Sequence, residues 1–259
     1  MHFALWQWLV GIVAGFLIGV SKTGIPGVGI LTVPILAYGF GGWESVGIML
    51  PMLVFGDCFA VFWYRRHAQW DKILTLLPWI ITGMAIGGLV LWKLGESKSH
   101  KDILNVIIGI LVLIMLALHL LQDKLGDKLT PRSSIGKAST GTAAGFATTV
   151  SNAAGPIMQM YMASYGMRKE EFMGTLAWYL LIFNTAKLPV FGLLTFLHPL
   201  KPMLTGHSLL LDLLLAPFIL AGVFAGKWLF LRISQKAFHL AVLILAAVAA
   251  IKLIVAYWV

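Results

Sequence analysis

The chain alternates apolar runs of membrane-crossing length with short clusters of charge, and this pattern decides what it can fold into. The runs cover residues 3–20, 24–39, 43–64, 73–93, 102–121, 135–151, 154–165, 171–197, 208–230 and 236–258. A helix needs about 20 apolar residues to cross roughly 30 Å of hydrocarbon. Charges gather between the runs, as in Arg65-Arg66-His67, Lys98 to Asp102 and Arg168 to Glu171. With 59% apolar and 11% charged residues and a mean hydropathy of +0.91, a domain of this size cannot hide its apolar residues from water. Lipid is the solvent. The expected fold is all-α and polytopic, because a helix satisfies its own backbone in hydrocarbon.

The net charge of +9 raises nucleic acid as a partner, but no basic stripe interleaved with aromatics is present to bind it. Membrane topology accounts for the excess better. Cys58 is the one cysteine, so an intrachain disulfide or a cysteine metal cluster is excluded, and Cys58 itself is expected to be a small core residue. Met1-His-Phe-Ala-Leu-Trp has neither a basic n-region nor a small-residue cleavage site, so this segment is expected to remain as the first helix.

Six runs are long enough to span: 43–64, 73–93, 102–121, 171–197, 208–230 and 236–258. The other four form two adjacent pairs, 3–39 and 135–165, each split by a polar, glycine-rich turn and read as a broken helical hairpin. The chain then divides into a first repeat (1–121), a cytoplasmic linker (122–134) and a second repeat (135–259). Placing both hairpin turns at membrane depth puts twelve cations on one side: Arg65, Arg66, Lys72, Lys124, Lys128, Arg132, Lys137, Arg168, Lys169, Lys227, Arg232 and Lys236. Five, Lys93, Lys98, Lys101, Lys201 and Lys252, fall on the other. The bias predicts a multi-pass inner-membrane protein with both termini outside the cytoplasm. Two full crossings per pair give the same sides, so re-entrant and spanning hairpins both stay open. Tryptophans near both sets of ends, such as Trp6, Trp43 and Trp92 against Trp63, Trp70 and Trp228, agree with two interfacial belts.

One motif recurs 130 residues on. Gly15-Phe16, Val20-Ser21 and Pro26 share their spacing with Gly145-Phe146, Val150-Ser151 and Pro156. Three long spans follow each copy, an odd number, so the halves are expected to lie in opposite orientations as inverted repeats.

Backbone breaks at membrane depth are tolerated only where protein or a watery cavity satisfies them. Helices beginning after Ser21-Lys22-Thr23 and after Ser151-Asn152-Ala153 would point amide groups and positive dipole ends at such a cavity, which suits an anion. Gly24, Gly27 and Gly155 would let backbone approach the ligand. An ammonium at Lys22 costs roughly 2.5–3.5 kcal/mol at the bilayer centre unless paired or hydrated; it is either a ligand for the anion or the partner of a carboxylate that locks the hairpin. Asp57 and Lys187 lie deep in corresponding spans, either as a buried pair or as coupling and gating residues, with Asn184 one turn from Lys187. Pro189 is expected to kink its span near Lys187. Asp212 is expected at the interface. The histidines show no metal-ligand spacing, and Ser21 and Ser151 have no histidine at matching depth in their own halves, which argues against a hydrolase.

These residues resemble the TauE/SafE sulfite exporter family, also called the toluene sulfonate uptake permeases. The likeness rests on Gly15-Phe16-Leu17-Ile18-Gly19 through Gly29, on Asp57 followed by Ala60 to Trp70 with its Tyr64-Arg65-Arg66-His67-Ala68-Gln69-Trp70 end, on the second hairpin at 145–156, and on Lys187 with Asn184. It implies a bacterial or archaeal permease for sulfite, sulfonates, sulfoacetate or similar small anions. The second hairpin has no lysine matching Lys22, which leaves anion charge and coupling stoichiometry open.

The expectation is a secondary transporter working by alternating access. Ser21, Lys22, Thr23, Gly24, Ser151, Asn152, Ala153 and Gly155 are the candidate anion ligands, and Asp57, Lys187 and Asn184 the candidate coupling or gating residues. Its partners are a small anionic substrate and the lipid bilayer, with protons the candidate coupling ion and a homodimer the candidate assembly. No cofactor, metal or nucleic acid is expected. A passive anion channel and a non-transporting membrane scaffold are the alternatives.

Overall fold

Proline and glycine decide where the helices break. In the computed structural model, which describes residues 3–96, 103–125, 133–229 and 235–258, α1 (Leu5–Thr23) stops ahead of Gly24-Ile25-Pro26. Proline forces the residue before it out of helical geometry, and Ile25 is extended at φ −123° and ψ 92°. A 3-10 turn, Pro26–Val28, leads into α2 (Gly29–Phe40). Gly41, at φ 79°, reverses the chain into α3 (Gly42–Tyr64). A second 3-10 turn, Arg65–His67, precedes α4 (Trp70–Glu96) and α5 (Ile103–Leu125).

The later half repeats this order with different chemistry at the break. Ser133 caps α6 (Ser134–Ser151), its hydroxyl accepting from the Gly136 amide at 3.0 Å. The helix ends on Asn152, which takes the left-handed conformation (φ 56°) that terminates many helices. Pro156 then sits in the first turn of α7 (Gly155–Ala163), where its missing N–H costs nothing. α8 (Lys169–Leu197) runs through Pro189 without interruption, and α9 (Gly206–Leu229) and α10 (Gln235–Trp258) complete the bundle. Among the described residues there is no strand.

Among the described residues, five helical segments are long and apolar enough to cross a membrane: Leu5–Thr23, Gly42–His67, Trp70–Glu96, Lys169–Leu197 and Gly206–Trp228. α1 is therefore long enough to span alone, where the sequence reading made it half of a hairpin. The charged loop at 97–102 and most of the 122–134 linker, with Lys98, His100, Lys101, Lys128 and Arg132, lie outside the described residues, as do Arg232 and the side chains of His119, Lys124, Lys236 and His239.

Two glycine seams hold the halves together. α1 lies on α9, with Gly11 against Leu215, Gly15 against Ile219, Gly19 against Ile219 and Val223, and Gly24 against Gly226. Contacts that advance together along both helices mean that they run parallel. α6 lies on α4 in the same sense, with Gly141 against Leu76 and Trp79 and Gly145 against Ile80 and Met84. A Cβ on Gly19 would strike the Ile219 carbonyl, and one on Gly145 the Ile80 carbonyl. Small residues allow this because packing, rather than water exclusion, drives helix association in lipid. The first helix of each half thus packs on the fourth helix of the other.

Each end of the bundle gathers its own loops. At one end the Gln69 amide donates to Thr175 Oγ1 (2.9 Å), Tyr161 donates to the Lys72 carbonyl (3.2 Å), and Gly174 rests on the backbone of Tyr64 and Ala68. Gln7 donates to the Gly39 carbonyl (3.0 Å) and Trp43 to the Lys201 carbonyl (2.9 Å) at the other. Cys58 is exposed on the outer face of α3 and is not a core residue: one step of about 100° around the helix separates it from the buried Asp57.

Candidate functional site

Five buried polar side chains from four helices converge where the two chain breaks approach each other. Lys22, near the end of α1, is 7% exposed, and its Nζ lies 2.6 Å from Asp57 Oδ1 of α3. Gly56 leaves room for the lysine stem, since a Cβ there would approach Lys22 Cγ to 3.1 Å. Asp57 is fully buried, and its second oxygen accepts from Asn184 Nδ2 of α8 at 2.6 Å. The carboxylate is thus held by one cation and one amide, as a buried charge must be.

Lys187, one turn beyond Asn184, is also fully buried. Its Nζ donates to the Thr148 carbonyl (2.8 Å), Thr148 Oγ1 (3.0 Å) and Asn152 Oδ1 (2.6 Å). Three oxygens match the three N–H donors of an ammonium. The Asn152 amide nitrogen donates in turn to the Val46 carbonyl at 3.0 Å. The expectation of an Asp57–Lys187 pair is corrected: Asp57 binds Lys22 and Asn184, while Lys187 fastens the second break. Register explains the choice, because Asn184 and not Lys187 is level with Asp57, and the lysine reaches up to the α6 terminus instead.

Helix α3 is common to both breaks. The first meets it at Asp57 and the second at Val46, eleven residues or roughly 16 Å apart along the axis. Between them lies a cavity of about 50 Å³, several times the roughly 10–15 Å³ that a single water requires. Ser21 and Lys22 border it from α1, Gly27 from the turn ahead of α2, Gly29 and Ile30 from the start of α2, and Asn152, Ala153, Gly155, Pro156 and Gln159 from the second break. Met49 and Leu53 of α3 and Leu176, Leu180 and Asn184 of α8 close it. Neither α2 nor α7 has a side-chain cap at its N-terminus, so the positive ends of two helices border the space without an internal anion.

Ser21, Lys22, Asn152, Ala153, Gly155 and Asn184 therefore line the cavity, with Asp57 and Lys187 directly behind. Three of the expected ligands do not. Thr23 is fully buried and donates to the Val223 carbonyl of α9 at 2.6 Å. Gly24 packs on Gly226, and Ser151 returns its hydroxyl to the Ala147 carbonyl at 2.9 Å. Thr23 and Gly24 thus sit on the seam with α9, and Ser151 is bonded back to its own helix. The sequence reading missed Thr148 and Gln159. Gln159, a polar residue one turn past Gly155 in an apolar run, carried a signal; Thr148 bonds mainly through its carbonyl, which no sequence pattern marks.

The sequence model of a family described as Sulfite exporter TauE/SafE matches residues 9–253. Neither the curated proteins nor the solved structures compared with the chain include a match. The match takes in both breaks, α3 and α8, so every residue of the cluster lies inside it, and the chain belongs to the TauE/SafE sulfite exporter family of membrane transporters.

Proposed function

We propose that the chain is a secondary transporter of small anions, sulfite, sulfonates or sulfoacetate among them, whose site is the cavity between the two breaks. The observation that carries this reading is Lys22 bordering a small cavity together with two uncapped helix N-termini. With both lysines protonated, the cluster holds two ammonium groups against one carboxylate, an excess positive charge that an anion would balance. Backbone amides and an ammonium recognise oxyanions without needing a metal or cofactor.

Alternating access follows from inverted repeats 1–121 and 135–259. The exchange of first and fourth helices between halves, each pair parallel, supports that arrangement. Asp57 competes with the anion for Lys22, which makes it the natural point for a proton to enter the cycle: protonating the carboxylate frees the ammonium. The cation-rich ends, including Arg65, Lys72 and Arg168, face the cytoplasm of a cell whose inner membrane holds the protein, and both termini lie outside.

The test uses purified protein in liposomes with a panel of sulfite, methanesulfonate, sulfoacetate and simple carboxylates. Ligand-dependent thermal stabilisation reports binding, and uphill flux driven by an imposed proton gradient distinguishes a transporter from a pore. An absence of stabilisation and flux across the whole panel would overturn the assignment.

A further inference from the structure

Helix α9 carries one ionisable group that the anion cavity does not use. Asp212 is 8% exposed, and among the described residues neither of its carboxylate oxygens has a hydrogen-bond partner. Asp212 lies near the start of α9, with its side chain buried inside the protein. The 198–205 segment folds over that end of the bundle: Met203 is 1% exposed, its carbonyl lies against Gly47, and the Met203 and Leu204 amides both donate to Thr195 Oγ1, at 3.1 and 3.0 Å.

The neighbouring helices offer Asp212 nothing charged at its level. Gly11 of α1 meets Leu215, one turn beyond Asp212, so Gln7 and Trp8 stand opposite it. Both ends of the Gln7 amide are engaged, with the Ala4 amide and the Gly39 carbonyl. α3 passes from Gly47 against Met203 to Gly56 near Ile219, and residues 48–55 contain no ionisable side chain. The titratable groups of these elements are Lys22 in α1; Glu44, Asp57, Cys58 and Tyr64 in α3; His198 and Lys201 in the covering segment; and His207 and Lys227 in α9 itself. None of them bonds to Asp212.

A carboxylate enclosed in this way, inside a protein surrounded by lipid, is costly while it bears a charge, and taking up a proton removes that charge. We propose that Asp212 is a proton-binding site of this transporter, separate from the anion cavity and linked to it through the seam between α9 and α1. The carboxylate and one proton from water form the neutral acid, and the reverse step returns the proton to water. Losing the proton leaves a charge that the closed outer end does not solvate, so α9 must shift to admit water or a cation.

That shift reaches the anion site by direct contact. Gly222 rests on the Phe16 carbonyl, Gly226 lies against Val20, and Thr23, next to Lys22, donates to the Val223 carbonyl. With backbone against backbone, α9 does not slide far without carrying the tip of α1 and Lys22 with it.

The coupling half of this proposal rests on the transport reading above; the proton site does not. Infrared difference spectra of the purified protein between acid and alkaline pH should contain the C=O stretch of protonated carboxylic acids, and Asp212→Asn or Asp212→Leu should remove one component of it. Both variants delete an unpartnered charge and are expected to fold. In liposomes, methanesulfonate keeps its charge across this pH range, so the ratio of gradient-driven to equal-pH uptake reads the coupling. In Asp212→Asn this ratio should fall by about tenfold, within the range of ordinary coupling between sites. An unchanged infrared band overturns the proton site, and a wild-type ratio in the variant overturns the coupling. A wild-type protein that does not move methanesulfonate counts against the transport reading, and the infrared band still decides Asp212.

Discussion

Lys22 Nζ lies 2.6 Å from Asp57 Oδ1, in a pair of which the aspartate is fully buried and the lysine side chain 5% exposed, on the edge of the cavity between the two breaks. One ammonium is therefore both a structural partner and the candidate anion ligand. Its two roles are separable, because the first needs a carboxylate at residue 57 and the second does not.

Lys22→Met alone leaves Asp57 buried with only the Asn184 amide for support, and should cost about 3–5 kcal/mol of stability. Adding Asp57→Asn removes the stranded charge and should restore most of that loss without restoring anion binding. Thermal unfolding in detergent, with and without sulfite, measures both effects. Recovery of binding in the double variant would contradict the proposed role of Lys22.

Asn152 combines a left-handed backbone with two side-chain bonds, to Lys187 and to the Val46 carbonyl. Asn152→Gly keeps the backbone and loses the bonds, whereas Asn152→Ala loses both. The alanine variant should be the less stable by roughly 1–2 kcal/mol, the cost of a left-handed residue with a Cβ. Equal melting temperatures for the two would show that the backbone at this position is not strained.

Lys187→Met removes the clasp between α8 and the end of α6. The Asn152 amide oxygen then lacks its donor, at about 1–3 kcal/mol for a buried group left unsatisfied, while the Thr148 carbonyl keeps the Asn152 backbone N–H. Hydrogen exchange should rise in residues 148–155 before it rises elsewhere. Unchanged protection in that segment would mean that the lysine is not what holds the second break.

The glycine seams should tolerate almost no added volume. Gly19→Ala places a methyl group against the Ile219 carbonyl and the Val223 amide, and Gly145→Ala places one against the Ile80 carbonyl. Each should cost about 1–3 kcal/mol or more through overpacking. Gly192→Ala, where a Cβ meets nothing within 4 Å, is the control and should be neutral or slightly stabilising. Melting temperatures of the three variants check the contrast.

How much of this was legible beforehand depends on the range of the physics involved. Apolar run length sets helix length because the bilayer has one thickness, so α3, α4, α8 and α9 fall within a few residues of their apolar runs. The two breaks were legible as well, since Pro26, Asn152 and Pro156 act on their own backbone. Lys22, Asp57, Asn184 and Lys187 were conspicuous because polar groups are rare and costly in hydrocarbon. Their partners were not legible. Whether Asp57 meets Lys22 or Lys187 depends on how α3, α8 and the α1 tip are staggered, and stagger is set by glycine seams between segments up to about two hundred residues apart. The same holds for Thr23 and Gly24, turned to the α9 seam, for Ser151, bonded back to its own helix, and for Asp212, buried within the bundle. Composition and local chemistry thus determined the solvent, the helices and the inventory of costly groups. Tertiary packing alone decided which of those groups neutralise one another and which still lacks a partner.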